Sequence, residues 1–277
     1  MILITGGTGY LGSKLANKLR EKYDVAILTR REIKSKDFII IKGDITDFKS
    51  VLKATKNAEI VYHLAAKTER KGIFSSSKKL FRINVEGTEN VIKACIQNSV
   101  KKFIHASTVA VMYSNLTDYG ISKKLSEEVV KKYWNKIDAI ILRPSFIYDE
   151  KRLAIFKKFK IFPKLTKDIK IHIVYMDGVV NAFINALKCR KPGTYVIADK
   201  KPVSINELSD MLKNYGFKQI VISRFLINFL EKIPKLSKLI KNIFQEKTFN
   251  IKESELYLNY KPHDTLEMFK RILINNF

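Results

Sequence analysis

The chain has 277 residues, 46% of them hydrophobic, enough for a sizeable core and for one large domain or a domain with an appended lobe. Its 52 Lys and Arg against 27 Asp and Glu give a formal net charge of +25. The lysines are spread along the chain (Lys49, Lys53 and Lys56; Lys101 and Lys102; Lys131 and Lys132), with no helix-turn-helix, zinc knuckle or aromatic-basic strand beside them, so they read as solvated helix faces and no nucleic-acid partner is expected.

The first dozen residues set the class. Ile2, Leu3, Ile4 and Thr5 form a short apolar run that reads as a buried strand, and Gly6, Gly9 and Gly12 follow in the pattern G-x-x-G-x-x-G. Leu11, Leu15 and Leu19 then recur at helical spacing. Strand, glycine turn and helix make a dinucleotide-binding element: glycine serves where the backbone turns sharply and must approach a pyrophosphate, and the helix N-terminus offers that anion free N–H groups. Because the strand starts at the first methionine, no secretory leader is expected. No apolar run is long enough to cross a bilayer, and a cytoplasmic location is expected. Cys95 and Cys189 are expected as buried, reduced thiols.

Residues 24–29 read as a second strand, followed by Arg30, Arg31 and Glu32. A carboxylate at such a strand end favours the ribose of NAD, whereas arginine suits the 2′-phosphate of NADP, so NADP is favoured over NAD. Residues 38–42 form a third strand that runs into Gly43, Asp44 and Ile45, and Thr46 or Asp47 can cap the next helix, which turns Phe48, Val51 and Leu52 inward. Residues 59–64 form a fourth strand, followed by the small Ala65 and Ala66. A long helix is predicted over 80–98 and a fifth strand over 102–106, closing with Ser107 and Thr108. Strands alternating with helices predict a doubly wound parallel α/β sheet, whose ligands sit beyond the carboxyl ends of the strands.

Tyr119 and Lys123 open the next predicted helix, four residues apart and on one face. A phenol, with a reference pKa of about 10, is a poor base at neutral pH, and a nearby ammonium favours its phenolate. With Thr108 to orient a substrate oxygen, Tyr119 to pass a proton and Lys123 to hold the cofactor ribose, the set suits hydride transfer at a C–OH/C=O centre.

In the second half, residues 138–142 predict a sixth strand, followed by Arg143 and Pro144. The basic stretch 151–170, with Phe156, Phe159, Ile161 and Phe162 between its lysines, reads either as a pocket lining or as a surface helix and loop. A helix is predicted over 177–187 and a last strand over 194–197, and Ser204 with Glu207 fits a capping box opening a helix through Leu212. Leu236, Leu239, Ile240, Ile243 and Phe244 share a helical face among lysines; it is read as packing on its own domain, with peripheral membrane contact as the alternative. His63, His105, His172 and His263 show no metal-ligand spacing, and no metal site is expected.

The residues Thr5-Gly-Gly-Thr-Gly-Tyr-Leu-Gly12, Gly43-Asp44, His63-Leu-Ala-Ala66, Asn84-Val-Glu-Gly-Thr88, Ser107-Thr108, Tyr119 with Lys123, Leu142-Arg-Pro144, Asp177 and Leu258-Asn-Tyr-Lys-Pro262 run in one order from end to end. In them the chain resembles an extended short-chain dehydrogenase/reductase, the NAD(P)-dependent epimerase/dehydratase family. The resemblance implies a Rossmann-type domain (1–142 and about 171–200) with a small C-terminal substrate lobe (about 143–170 and 201–277). It implies cofactor contacts from Gly6, Gly9, Tyr10, Leu11, Gly12, Arg30, Asp44, Ile45, Ala65, Ala66 and Lys123, and catalysis by Thr108, Tyr119 and Lys123.

Departures from the family pattern narrow the chemistry. Val109 and Ala110 stand where the family's dehydratases carry an Asp-Glu pair, so dehydration is not expected. Phe146 stands where sugar-nucleotide epimerases usually carry an Asn that contacts the diphosphate, and Lys170 is the candidate replacement for an upstream Arg. The expected reaction is NAD(P)-dependent epimerisation or 4-ketoreduction of a small, phosphorylated nucleotide-sugar substrate. The alternatives are an NADPH-dependent reductase of an apolar ketone or alcohol, similar to steroid and flavonol reductases, and a non-catalytic cofactor-binding protein. A homodimer through the helices near 80–98 and 120–134 is the family's usual assembly.

Overall fold

The computed structural model describes residues 1–68, 77–233, 237, 240–241 and 243–276. Two compact units are present: Met1–Met112, Leu116–Arg143 and Val180–Tyr195 form the first; Tyr113–Asn115, Pro144–Val179 and Val196–Phe277 form the second. The stretch expected to rejoin the first unit at about residue 171 does so at Val180.

The first unit is built on β1 (Ile2–Thr5), β2 (Val25–Thr29), β3 (Ile39–Lys42), β4 (Ile60–His63), β5 (Lys102–Ala106) and β6 (Asp138–Pro144). With β11 (Gly193–Ile197) they make a seven-stranded sheet in the order β11-β6-β5-β4-β1-β2-β3. Strands β1 to β6 pair in parallel, and β1 is flanked on both sides, Ile2 lying opposite Val25 of β2 and Ile60 of β4. The apolar runs exist because these central strands are buried on both faces, as the fully buried Leu3, Ile4, Val61, Phe103 and Ile140 show. Strand order reverses between β1 and β4, which opens a crevice at their carboxyl ends. This is a Rossmann-type doubly wound sheet, as the alternation of strands and helices predicts.

Helix α1 (Tyr10–Leu19) buries Gly12, Leu15, Ala16 and Leu19, and α2 (Phe48–Thr55) is capped by Asp47, whose side chain accepts from the Lys49 N–H. The long helix predicted over 80–98 is three pieces: α3 (Ser77–Phe81), a π-helical turn (Arg82–Glu86) and α4 (Gly87–Gln97). The wide turn carries Asn84, whose amide accepts from the Lys67 N–H (2.7 Å) and donates to the Lys67 carbonyl (3.0 Å) and to Ser122 Oγ (2.9 Å). A π turn is where an α-helix gives way to aim a side chain. Helix α5 (Asp118–Lys131) starts at Thr117, whose hydroxyl accepts from the Gly120 N–H.

The second unit is less legible in the sequence. It contains β7 (Phe146–Tyr148), α6 (Glu150–Phe159), β8 (Ile161–Leu165), β9 (Lys170–Ile171), β10 (Ile173–Tyr175), β12 (Val203–Ser204), α8 (Ile205–Lys213), β13 (Lys218–Ile222), α9 (Arg224–Glu231), α10 (Lys252–Tyr257) and α11 (Thr265–Asn276); α7 (Met176–Asn185) runs from this unit into the first. The strand at 193–197 is therefore not the last. Its strands pair only two by two: β7 with β10, β8 with β13, β9 with β12. Strands this short carry no readable alternation, and β8 includes Pro163 and Lys164. Tyr148, Leu153, Ile173, Tyr175, Val203 and Phe269 form the core. Buried Asp199 accepts from Tyr148 OH (2.8 Å), Thr265 Oγ1 (2.9 Å) and the Tyr175 N–H (3.1 Å). The Ser204 capping box is present, its hydroxyl accepting from the Glu207 N–H. Of the expected face 236–244, Leu236 and Leu239 lie outside the described residues; Ile240 is buried and Ile243 exposed.

No described helix is long and apolar enough to cross a membrane. Cys95 and Cys189 are buried and not bonded to each other.

Candidate active site

The glycine turn is closed by its own backbone, the Gly9 N–H donating to the Gly6 carbonyl at 2.9 Å. Gly6 has φ +76°, and a Cβ there would stand 2.6 Å from the Ala65 nitrogen; a Cβ on Gly12 would stand 2.1 Å from the Gly6 oxygen. Both positions require glycine, one for its backbone conformation and both for space. Gly9 caps α1 and contributes no side-chain oxygen of its own to the amide groups of the first turn.

A cleft of about 490 Å³ opens over this turn. Gly6 and Gly9 line it, with Arg30 and Asp44 beyond β2 and β3, then Ile45, Ala65 and Ala66. These are seven of the residues singled out for a cofactor. The other four, Tyr10, Leu11, Gly12 and Lys123, are not in its lining; Gly12 is buried beneath the turn. Arg31, read with Arg30 as a cation favouring NADP, lines the cleft too, and so do Thr8, Thr29, Lys67, Lys79 and Ile83, which the sequence does not single out as sites. Arg31 and Lys67 directly follow the Arg30 and Ala65-Ala66 signals, whereas Lys79 arrives only through the fold of α3. Asp44 is held in place: its Oδ1 accepts from the Thr46 N–H (2.9 Å) and Thr46 Oγ1 (3.0 Å), and Arg30 Nη1 is 3.9 Å from its other oxygen.

Beneath the cleft a buried polar column runs through the sheet. Thr88 Oγ1 donates to the Asn84 carbonyl (2.6 Å), so its contact with His63 Nε2 (3.0 Å) assigns the proton to that nitrogen. His63 Nδ1 then accepts from Thr5 Oγ1 (2.7 Å), whose oxygen accepts from the Ala65 N–H (3.3 Å). Burial, with the Lys123 cation second, pushes the His63 pKa down to about 3.

Thr108 follows β5, and its Oγ1 accepts from the Ala110 N–H (3.2 Å). Tyr119 lies in the first turn of α5, with Lys123 one turn on. Lys123 is 2% exposed, and its Nζ lies 3.2 Å from Nε2 of His105, a β5 residue. Burial lowers the Lys123 pKa to about 8, against the raising effect of Glu127. Burial also drives His105 well below the ordinary histidine range, helped by Lys123 and then His63. The Asn84 amide joins the two regions, holding Lys67 of the cleft and Ser122 of α5.

Sequence reasoning misses His105 and Glu127. Glu127, 1% exposed, takes Arg143 Nε at 2.8 Å and Arg143 Nη2 at 2.5 Å, and accepts from Ser107 Oγ at 2.5 Å. Position alone offers a signal, since each residue lies near a candidate in the chain: His105 three before Thr108, Glu127 four after Lys123. Phe146 and Lys170 lie in the second unit and do not line the cleft. Phe146 is 61% exposed under the Arg152 guanidinium (5.6 Å), and Lys170 is exposed on β9. Among the described residues no group of three or more His, Cys, Asp or Glu is arranged to hold a metal ion.

The model of the NAD-dependent epimerase/dehydratase family matches residues 2–198. The chain belongs to this family. It is 31% identical over 260 residues to a Methanocaldococcus jannaschii protein provisionally named UDP-glucose 4-epimerase, covering 79% of this chain and 83% of the relative. It is 28% identical over 253 residues to human dTDP-D-glucose 4,6-dehydratase, covering 76% and 72%. Among solved structures, the Thermotoga maritima UDP-glucose 4-epimerase with UDP-glucose shares the fold, with a TM-score of 0.79 at 19% identity over 99% of this chain and 97% of the other. This family member is accordingly an NAD-dependent enzyme. The tight turn, in which a Cβ at Gly6 or Gly12 would collide with backbone, and the glycine-capped N-terminus of α1 fit a dinucleotide.

Proposed function

We propose that this family member transfers hydride at a carbinol or ketone carbon of a nucleotide-sugar, as an epimerase or 4-ketoreductase and not as a dehydratase. The observation that carries the reading is the arrangement of Thr108, Tyr119 and Lys123 in the same unit as the glycine cleft, with the Lys123 amine buried. Tyr119 passes the proton to or from the substrate oxygen, and Thr108 orients that oxygen. Lys123 favours the phenolate: bringing a phenol from about 10 to about 7 takes roughly 4 kcal/mol of differential stabilisation. When bound, the nicotinamide supplies the site that takes and returns the hydride.

Gly6 and Gly9 on the cleft, with Tyr10 and Leu11 at the α1 N-terminus, would hold the pyrophosphate, Gly12 letting the helix pack close beneath the turn; Asp44 and Ile45 would meet the adenine side, Ala65 and Ala66 the length of the cofactor, and Lys123 a ribose. Arg30, on the cleft and largely solvated, would meet a 2′-phosphate, which favours NADP. Val109 and Ala110 have no acid-base group to remove water, which supports the epimerase or reductase reading over the dehydratase one. The two relatives named for UDP-glucose support the nucleotide-sugar. Lys170 is proposed to contact its phosphates and Phe146 its apolar part. Exposed Phe146, together with Arg30, also supports a second reading, an NADPH-dependent reductase of an apolar ketone.

The test is to denature the purified protein, identify the released small molecules, and titrate it with NADPH, NADH and UDP. Retained NAD and UDP binding are expected for an epimerase. An empty site that prefers NADPH and ignores UDP would move the assignment to the apolar-ketone reductase. Arg30→Ala is expected to weaken NADPH about tenfold and leave NADH unchanged; equal effects on both would remove the NADP preference. Tyr119→Phe should abolish turnover while cofactor binding persists, and undiminished activity would end the catalytic reading.

A further inference from the structure

We infer that the second unit carries a docking face for an anionic phospholipid bilayer, centred on helix α9. This eight-residue helix, Arg-Phe-Leu-Ile-Asn-Phe-Leu-Glu, is apolar on two sides. Ile227 is 2% exposed and anchors the helix to its unit. Phe225 and Phe229 each stand two residues from Ile227, so at about 100° per residue both lie roughly 160° around the helix from the buried side. They are 82% and 57% exposed, and Leu226, beside them, is 45% exposed. The outward face of a surface helix is ordinarily polar, and adjacent exposed aromatic side chains mark an interaction site.

Charge identifies the occupant. The two phenylalanines wall a cleft of about 510 Å³ whose other lining, among the described residues, is Asn228, Glu231, Lys232 and Lys241. Arg224, Lys232 and Lys241 are exposed, against the single carboxylate of Glu231 in the lining described. An apolar centre inside a cationic margin matches the layering of an anionic bilayer, where aromatic rings enter the headgroup and acyl boundary while the cations stay at the phosphates. A second copy of the chain would meet this face with the same excess of positive charge, which opposes self-association.

The test is flotation of the full chain with vesicles of phosphatidylcholine alone or with about 30 mol% phosphatidylglycerol. Binding to the anionic vesicles is expected, at least about tenfold weaker on neutral ones or at high salt. F225S/F229S should bind about tenfold less while NAD binding is unchanged, and K232E/K241E should fall similarly. The control K53E/K56E, at exposed positions on α2 and its C-terminal end in the first unit, should lose far less. With Phe225→Trp, indole emission should shift blue and be quenched by lipids brominated in their acyl chains. The inference is overturned if wild-type protein does not float, if F225S/F229S floats equally well, if K53E/K56E loses as much, or if the indole of the Phe225→Trp variant is not quenched. It is also overturned if the face proves to join two copies in sedimentation without binding vesicles.

Discussion

The amine of Lys123 sits 3.2 Å from Nε2 of His105, and the His105 ring stacks on His63 with centroids 5.4 Å apart. A cationic side chain proposed for catalysis is thus buried against one imidazole, with a second stacked behind it, and burial keeps both rings neutral. The cost of holding that charge and the cost of holding the two neutral rings fall in different pH ranges.

Lys123 has a folded pKa of about 8 against an ordinary value of 10.5. Below about 8 both folded and unfolded chains hold the proton, and the full burial penalty applies. Between 8 and 10.5 the unfolded chain binds more protons, so the penalty fades as pH rises. Lys123→Met should therefore stabilise the protein by about 1–3 kcal/mol at pH 7, with the gain shrinking toward pH 10, while turnover falls at least about 100-fold. Urea unfolding at the two pH values and steady-state rates check this; a Met variant less stable at pH 7 would contradict it.

The imidazoles act at the acid end. As pH falls through about 6.5 the unfolded chain takes up protons that folded His63 refuses until about 3. Stability is lost across that window, by about 1.4 kcal/mol per pH unit for each such histidine. His63→Gln keeps a donor and an acceptor but does not titrate. Its stability should fall less steeply below pH 6 by about that amount, and an unchanged slope would show that His63 charges freely in the folded chain.

Gly6→Ala places a Cβ 2.6 Å from the Ala65 nitrogen at a φ of +76°. The turn and the Ala65 loop must separate, costing about 2 kcal/mol or more and weakening NAD binding at least about tenfold. Calorimetric titration with NAD checks the second effect. Unchanged affinity would mean that the cofactor does not depend on this close approach.

Buried Glu127 and half-buried Arg143 form a bidentate pair. Arg143→Met alone leaves the carboxylate unpaired and should cost about 3–5 kcal/mol, whereas the double variant E127Q/R143M should recover much of that loss. A double variant as unstable as the sum of the two single ones would show that the residues act independently.

The sequence by itself determined the Rossmann-type half, because its signals are local. Buried parallel strands appear as apolar runs, the turn needs glycine at fixed spacing, and Tyr119 and Lys123 share a face through helical geometry alone. The family followed from the order of those motifs. Tertiary structure alone decided that the helix near Asn84 breaks into a π turn, since Asn84's partners, Lys67 and Ser122, lie 17 and 38 residues away. It alone placed His105 against Lys123 and locked Glu127 to Arg143, because contacts between a strand and a helix distant in the chain leave no periodic trace. It also built the second unit from two-residue to five-residue strands too short to show alternation, and turned Phe225 and Phe229 outward on a helix whose sequence reads as apolar on more than one side. Which apolar stripe is buried depends on what packs against it, and that is a property of the fold.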